Sequence, residues 1–236
     1  MSHPSDKQSF PEIDLARAIA IIAMIIYHLI YLIDFFAIHS IDLNQLQYVV
    51  FARLIQFTFM GLVGISLTIA ARRYPAKTLR LRALKIFGFG LIITAITSVF
   101  VPDRLVIFGI LHLIGTGLFI FSFFPHKKYL ALTIALASII IGHLLYGIQT
   151  TSKLATILGL HNPSFASVDH FSLFPWLSVI AVGVYFGNQF YKNQKALTNF
   201  KLPKTLRFIS KYSLEIYLLH IPVLILLLHL FFGVSF

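Results

Sequence analysis

The sequence contains no cysteine and very few charged or acidic side chains. Without cysteine there can be no disulfide, no thiolate nucleophile and no thiolate metal site, and the redox compartment leaves no trace in the chain. Charged residues make up 11% of the 236 positions, against about 25% in an average soluble domain. Hydrophobic residues make up 58%. A chain this short has too little interior to hide that much apolar surface from water. The medium that accepts it is lipid.

What charge there is has one dominant sign. The formal net charge is +11, and the cations fall in short runs between apolar stretches. These runs are Arg72, Arg73, Lys77, Arg80, Arg82 and Lys85; then Lys127 and Lys128; then Lys192, Lys195, Lys201, Lys204, Arg207 and Lys211. This is the distribution of cytoplasmic loops under the positive-inside rule. No basic-aromatic groove motif accompanies them, so the charge does not read as nucleic-acid binding.

A spanning helix needs about 20 mostly apolar residues. Candidates lie at 13–36, 48–71, 86–102, 105–124, 129–148, 173–190 and 208–232. The expected fold is all-α: one polytopic transmembrane domain over 1–236, of about seven helices. The first segment is too long for a signal-peptide core and reads as an uncleaved helix. With the N-terminus inside, Lys7, Arg17 and all three basic runs are cytoplasmic, and the C-terminus is outside. Arg104 and Lys153 then occupy outer loops, and the longest outer segment is 149–172. No internal repeat is visible, which argues against an inverted-repeat transporter. Gly183 and Gly187 form a small-xxx-small pair, which reads as close helix packing.

Ionisable side chains in a bilayer face protein or a water-filled cavity, so their depth carries information. Asp14, Arg17 and His28 share the first helix, with His28 roughly 16 Å beyond Arg17 at ~1.5 Å per residue. Arg53 on the second helix and His112 on the fourth fall in the same outer half as His28. Asp169 and His170 stand at the outer mouth of the sixth helix. His220 lies near the middle of the seventh, two residues before Pro222, which frees a backbone carbonyl one turn earlier. Blander roles exist for several of these: a helix-to-helix hydrogen bond for His143 and His229, satisfaction of the backbone around the proline for His220, snorkelling for Arg53, and an interfacial ion pair for Asp14 with Arg17. A desolvated neutral histidine can act as a base, and a nearby guanidinium can hold an oxyanion. The histidines lack metal-site spacing and no acidic cluster accompanies them, so acid–base or His-nucleophile chemistry is expected and a metal is not.

Five segments resemble one family: EIDLARAIAIIAMIIYH (12–28), FARLIQFTFMGLVGISL (51–67), FGILHLIGTGLF (108–119), DHFSLFPWLSVIAVGVYFG (169–187) and SLEIYLLHIPVL (213–224). Together they are similar to the heparan-alpha-glucosaminide N-acetyltransferase-like family of prokaryotic membrane proteins, part of the wider transmembrane acyltransferase superfamily. The resemblance runs in order over nearly the whole chain. Its most specific pieces are residues 109–115 and 171–176.

That resemblance implies a multi-pass plasma-membrane enzyme. It takes an acetyl or acyl group from cytosolic acyl-CoA and passes it to an amine or hydroxyl acceptor, such as a sugar, at the outer face. In the lysosomal relative a polar residue occupies the place of His28, and the catalytic histidine follows in the luminal loop, a position matched here by His39. Arg17 matches an arginine near the start of the family's first helix, while Ala18 stands where glycine is common. The expected catalytic set is His28, His39, His112 and Arg53. Arg17, Arg82, Lys85 and His220 are expected to hold the donor, and Asp34, Asp169 and His170 the acceptor. The bilayer and acyl-CoA are the expected partners, nucleic acid is not, and a homodimer is left open. Two other readings use the same residues: a small-solute or proton-coupled transporter, and a structural subunit whose polar residues only fix helix packing.

Overall fold

The computed structural model describes residues 10–234. Lys7, counted above among the inner cations, lies outside the described residues. Among those described there is no strand, only the isolated bridge Gln149–His161. Eight α-helices are present: α1 (Pro11–Phe35), α2 (Leu46–Ala71), α3 (Ala76–Phe100), α4 (Ile110–Phe121), α5 (Lys128–Leu145), α6 (Leu177–Phe190), α7 (Lys204–Lys211) and α8 (Ser213–Phe232). Five of them, α1, α2, α3, α5 and α8, are long and apolar enough to cross a membrane. Large apolar side chains such as Ile26, Leu54, Leu91, Leu136 and Leu226 lie exposed on their outer faces. Water would oppose that arrangement, and hydrocarbon accepts it.

The chain divides into two compact units, Met1–Phe59 with Lys195–Phe236, and Met60–Gln194. The division falls within α2. In the first unit, α1 opens with Pro11 at its first turn and carries Glu12 and Asp14 there, where the fixed proline φ and the helix dipole both favour them. Ile21 and Met24 pack with Ile55 of α2, flanked by Ile209, Ile216 and Tyr217. Further along, Leu32 packs with Leu224 and Leu228. Positions on α1 and on α7–α8 therefore rise together, and the two helical stretches run parallel. α8 ends at Gly233, whose φ of +68° closes the helix in the left-handed region that glycine adopts without strain.

In the second unit, α3 packs on α4, and α5 and α4 pack on α6. The end of α2 meets α6 backbone to backbone. A Cβ on Gly183 would collide with the Gly61 carbonyl, and one on Gly64 with the Ile180 carbonyl. The glycine pair of α6 thus serves close packing, as its spacing suggested.

Element boundaries differ from the hydropathy segments where polarity and helicity part company. The third segment was expected from residue 86, yet α3 starts at Ala76. Its basic residues are helical, because Lys and Arg are good helix formers whose long stems reach past the apolar zone. Arg82 lies over the Tyr74 ring at 4.2 Å and Arg80 over Phe123 at 5.1 Å. The fourth segment shrinks to the 12 residues of α4, because 102–109 form a single 3-10 turn and an extended approach. The sixth helix begins at Leu177 rather than 173, after a cis Phe174–Pro175 peptide. The seventh segment is two helices divided at Tyr212, whose φ of −102° and ψ of 26° leave the helical region.

Candidate functional site

In the first unit the polar residues of α1 meet those of α7 and α8 at two levels. At the lower level, Ser210 donates its hydroxyl to Asp14 at 2.8 Å and accepts from the Arg17 guanidinium at 3.2 Å. Arg17 also pairs with Asp14 at 3.4 Å. Ser210 is buried, so this triad fixes α7 to α1. Ser210 escaped the sequence reading because a lone serine at the edge of an apolar run carries no signal of its own.

At the upper level His28 and His220 meet edge to face, with ring centroids 4.7 Å apart. From Arg17 to His28 is about 16 Å at ~1.5 Å per residue, and α7 and α8 meet α1 at these two levels. His28 places Nδ1 2.9 Å from the Met24 carbonyl, and His220 places Nδ1 on the Tyr217 carbonyl. A carbonyl only accepts, so each Nδ1 carries the proton and each Nε2 keeps its lone pair. Nε2 of His220 is buried and has no hydrogen-bond partner among the described residues. The carbonyl that Pro222 deprives of its partner is that of Leu218, four residues back; His220 bonds to Tyr217 instead. Tyr27 completes an aromatic wall, edge-on to His28 at 5.9 Å and to Phe51 at 6.3 Å.

The other expected residues of this unit are placed as follows. His39 is exposed in the loop after α1. Asp34 accepts from the Ile41 amide at 2.9 Å, so its carboxylate closes the loop that carries His39. Arg53 is exposed on α2 and donates to Gln56 at 2.9 Å.

In the second unit His112 and Asp169 meet at the start of α4. Nδ1 of His112 accepts from the Gly109 amide at 3.1 Å. Its Nε2 then carries the proton and faces Thr94 Oγ1 at 3.4 Å, while Thr94 donates onward to the Val106 carbonyl at 2.7 Å. Both ring nitrogens of His112 are thus engaged in holding the helix start. Asp169 accepts from the Ile110 amide at 3.1 Å, where the helix dipole favours a carboxylate. A Cβ on Gly109 would overlap that carboxylate, and one on Gly90 would press on the His112 ring. Burial pushes the Asp169 carboxyl up to about 6, opposed by its bond to Ile110. The segment around it is pinned by Val168 N–H on Arg104 O and Phe171 N–H on Phe108 O, both at 3.0 Å. His170 is lowered by burial and lies edge-on to Phe165; its Nδ1 has no partner among the described residues.

The basic residues of this unit separate by their partners. Arg72 donates to Asn188 at 3.3 Å, Arg73 to Gln194 at 2.8 Å and Lys128 to Gln189 at 3.0 Å. Asn188 also donates to the Pro125 carbonyl at 2.7 Å. It ties three segments together, and its signal was an amide in an otherwise apolar helix. Arg82 and Lys85 are exposed, with Lys85 5.7 Å from the centre of the Phe89 ring. No group of three or more His, Cys, Asp or Glu able to hold a metal occurs among the described residues.

Five helices long and apolar enough to cross a membrane define a multi-pass membrane protein, and two of them carry the facing imidazoles of His28 and His220. The family model described as "Heparan-alpha-glucosaminide N-acetyltransferase, catalytic" matches residues 10–222. The chain belongs to that family of membrane acetyltransferases, and the match runs through both units. No curated protein and no solved structure matches it.

Proposed function

We propose that the protein moves an acetyl or other acyl group from acyl-CoA on the cytosolic side to an amine or hydroxyl, such as that of a sugar, at the outer face. The observation that carries this reading is the His28–His220 pair, which sets a lone pair on a half-buried imidazole beside a second, unpartnered acceptor. His28 Nε2 takes the proton of the acceptor O–H or N–H as that heteroatom attacks the thioester carbonyl. The tetrahedral oxyanion collapses, the C–S bond breaks, and the proton on His28 passes to the departing thiolate. Free CoA and the acylated acceptor result, and His28 returns neutral.

His220 acts as a positioning residue in this scheme: its ring holds the His28 imidazole and its Nε2 accepts a hydrogen bond from a bound ligand. Asp34 serves through the loop that presents His39, which is the alternative acyl carrier. Arg53 supplies a cation for the oxyanion, and Arg82 and Lys85 are the cations exposed for the donor's phosphates. His112 and Asp169 build the start of α4 in the second unit. The parallel course of α1 and α8 requires an odd number of crossings between them, which α2, α3 and α5 alone satisfy and which α2 to α6 satisfy when the shorter apolar helices α4 and α6 are counted, giving seven in all. The cation distribution supports an inner N-terminus and an outer C-terminus.

The test is acetyl-CoA turnover by purified protein in lipid nanodiscs, supplied with amino sugars and polyols and read as free CoA thiol. Acceptor-dependent thiol release that vanishes in His28→Ala supports the reading. Absence of acetyl-CoA binding at millimolar concentration, with the fold intact, removes it.

A further inference from the structure

α7 has two faces of opposite character. Ile209 packs into the cluster of Ile21, Met24 and Ile55, and Ser210 is buried in the triad with Asp14 and Arg17. At about 100° per residue, Lys204, Arg207, Phe208 and Lys211 share the opposite face, and all four are exposed. Phe208 is 59% exposed and its ring leans on Tyr212 at 4.7 Å, with the Lys211 ammonium 4.8 Å from the same tyrosine ring. The outward face is therefore three cations around an aromatic platform.

Three features say what covers it. First, α8 is long and apolar enough to span a membrane and starts one residue beyond α7, so α7 lies at the membrane boundary. Second, the stretch 195–211 holds Lys195, Lys201, Lys204, Arg207 and Lys211 and no acidic residue. Third, the nearby carboxylates are turned to other work. Glu12 accepts from the Leu197 amide and the Thr198 hydroxyl, both at 2.9 Å, and Asp14 is held by Ser210 and Arg17. Glu215 stands alone beyond the break, in the first turn of α8.

We infer that the Lys204–Arg207–Phe208–Lys211 face of α7 is a docking surface for anionic phospholipid headgroups, with Phe208 seated among the upper acyl carbons and the three cations on phosphates. A short helix with cations around an aromatic anchor binds an anionic interface through both charge and apolar burial. The Asp14–Arg17–Ser210 triad turns that face outward by fixing the opposite one. The inference does not depend on catalysis and stands or falls separately from it.

The full chain is reconstituted into nanodiscs of phosphatidylcholine alone or with phosphatidylglycerol, and lipid retained on detergent extraction is weighed by native mass spectrometry. The wild type is expected to retain phosphatidylglycerol over phosphatidylcholine. The variant Lys204→Gln/Arg207→Gln/Lys211→Gln is expected to lose that preference by on the order of a hundredfold, taking each surface cation at its usual strength. Lys204→Arg/Lys211→Arg is expected to retain it, and Phe208→Ala to weaken retention of both lipids. Inorganic phosphate is expected not to compete. Equal retention of the two lipids by the wild type, an undiminished preference in the triple Gln variant, or displacement by inorganic phosphate would each overturn the inference. If the triple Gln variant does not fold, Arg207→Gln alone is measured, and an unchanged preference there overturns it too.

Discussion

His28 and His220 stand with their ring planes 71° apart and their centroids 4.7 Å apart, each tied through Nδ1 to a carbonyl of its own helix. Two imidazoles so held present acceptors rather than donors. This is the arrangement a base needs before it meets a substrate proton. Replacing His220 by Phe keeps a ring against His28 but removes the Nε2 acceptor. The expected result is roughly a tenfold fall in kcat, the value of one hydrogen bond made in the transition state, with little change in melting temperature. Steady-state kinetics beside a thermal melt checks it; full activity would make His220 a packing residue only.

Asp169 makes stability depend on pH. Its folded value of about 6 lies above the ordinary 3.8 because burial disfavours the carboxylate. The protonated form is therefore the one the fold favours. The associated stability is fully present below about pH 4 and is lost as pH rises through 6. Asp169→Asn can still accept from Ile110 and does not ionise. Relative to wild type, it should gain about 3 kcal/mol between pH 4 and pH 8. Denaturation of both proteins across that range measures the difference, and parallel curves would contradict it.

His112 is expected to matter for stability more than for proton transfer. His112→Ala leaves the buried Gly109 amide without its acceptor and opens a hole beside Phe87 and Phe108. A cost of about 2–4 kcal/mol follows. Acceptor-dependent turnover per folded molecule should keep its wild-type pH profile, and a shifted profile would assign His112 a part in the chemistry.

Gly183→Ala should be among the most disruptive small substitutions. The added methyl meets the Gly61 carbonyl on α2, and backbone cannot rotate aside as a side chain does. A loss of about 1–3 kcal/mol is expected. Gly88→Ala, where a Cβ meets nothing within 4 Å, is the control that should leave the melting temperature unchanged or raised.

Order along each helix was legible in the sequence, because hydropathy marks the apolar stretches and the count of residues spaces the positions within them. His28 and His220 both fall in helices long and apolar enough to span a membrane. Which side chain faces which was not legible, since it depends on the neighbouring helix. Depth alone grouped His28 with His112 and Arg53, and it gave no sign that the His220 ring packs against His28. His112 and Asp169 read as chemical groups because buried polarity is costly, and their hydrogen bonds at the start of α4 meet that cost. The break at Tyr212 was hidden because a hydropathy window averages across it, and the helical basic residues of α3 were hidden because cations between apolar runs look like a loop.

His28 is the base in the proposed acyl transfer. The most direct measurement is acceptor-dependent release of free CoA from acetyl-CoA by wild type and His28→Ala, both shown to be folded in nanodiscs. Turnover is expected of the wild type, and a fall of roughly 10²–10⁴-fold in the variant. Turnover that survives in His28→Ala would contradict that role.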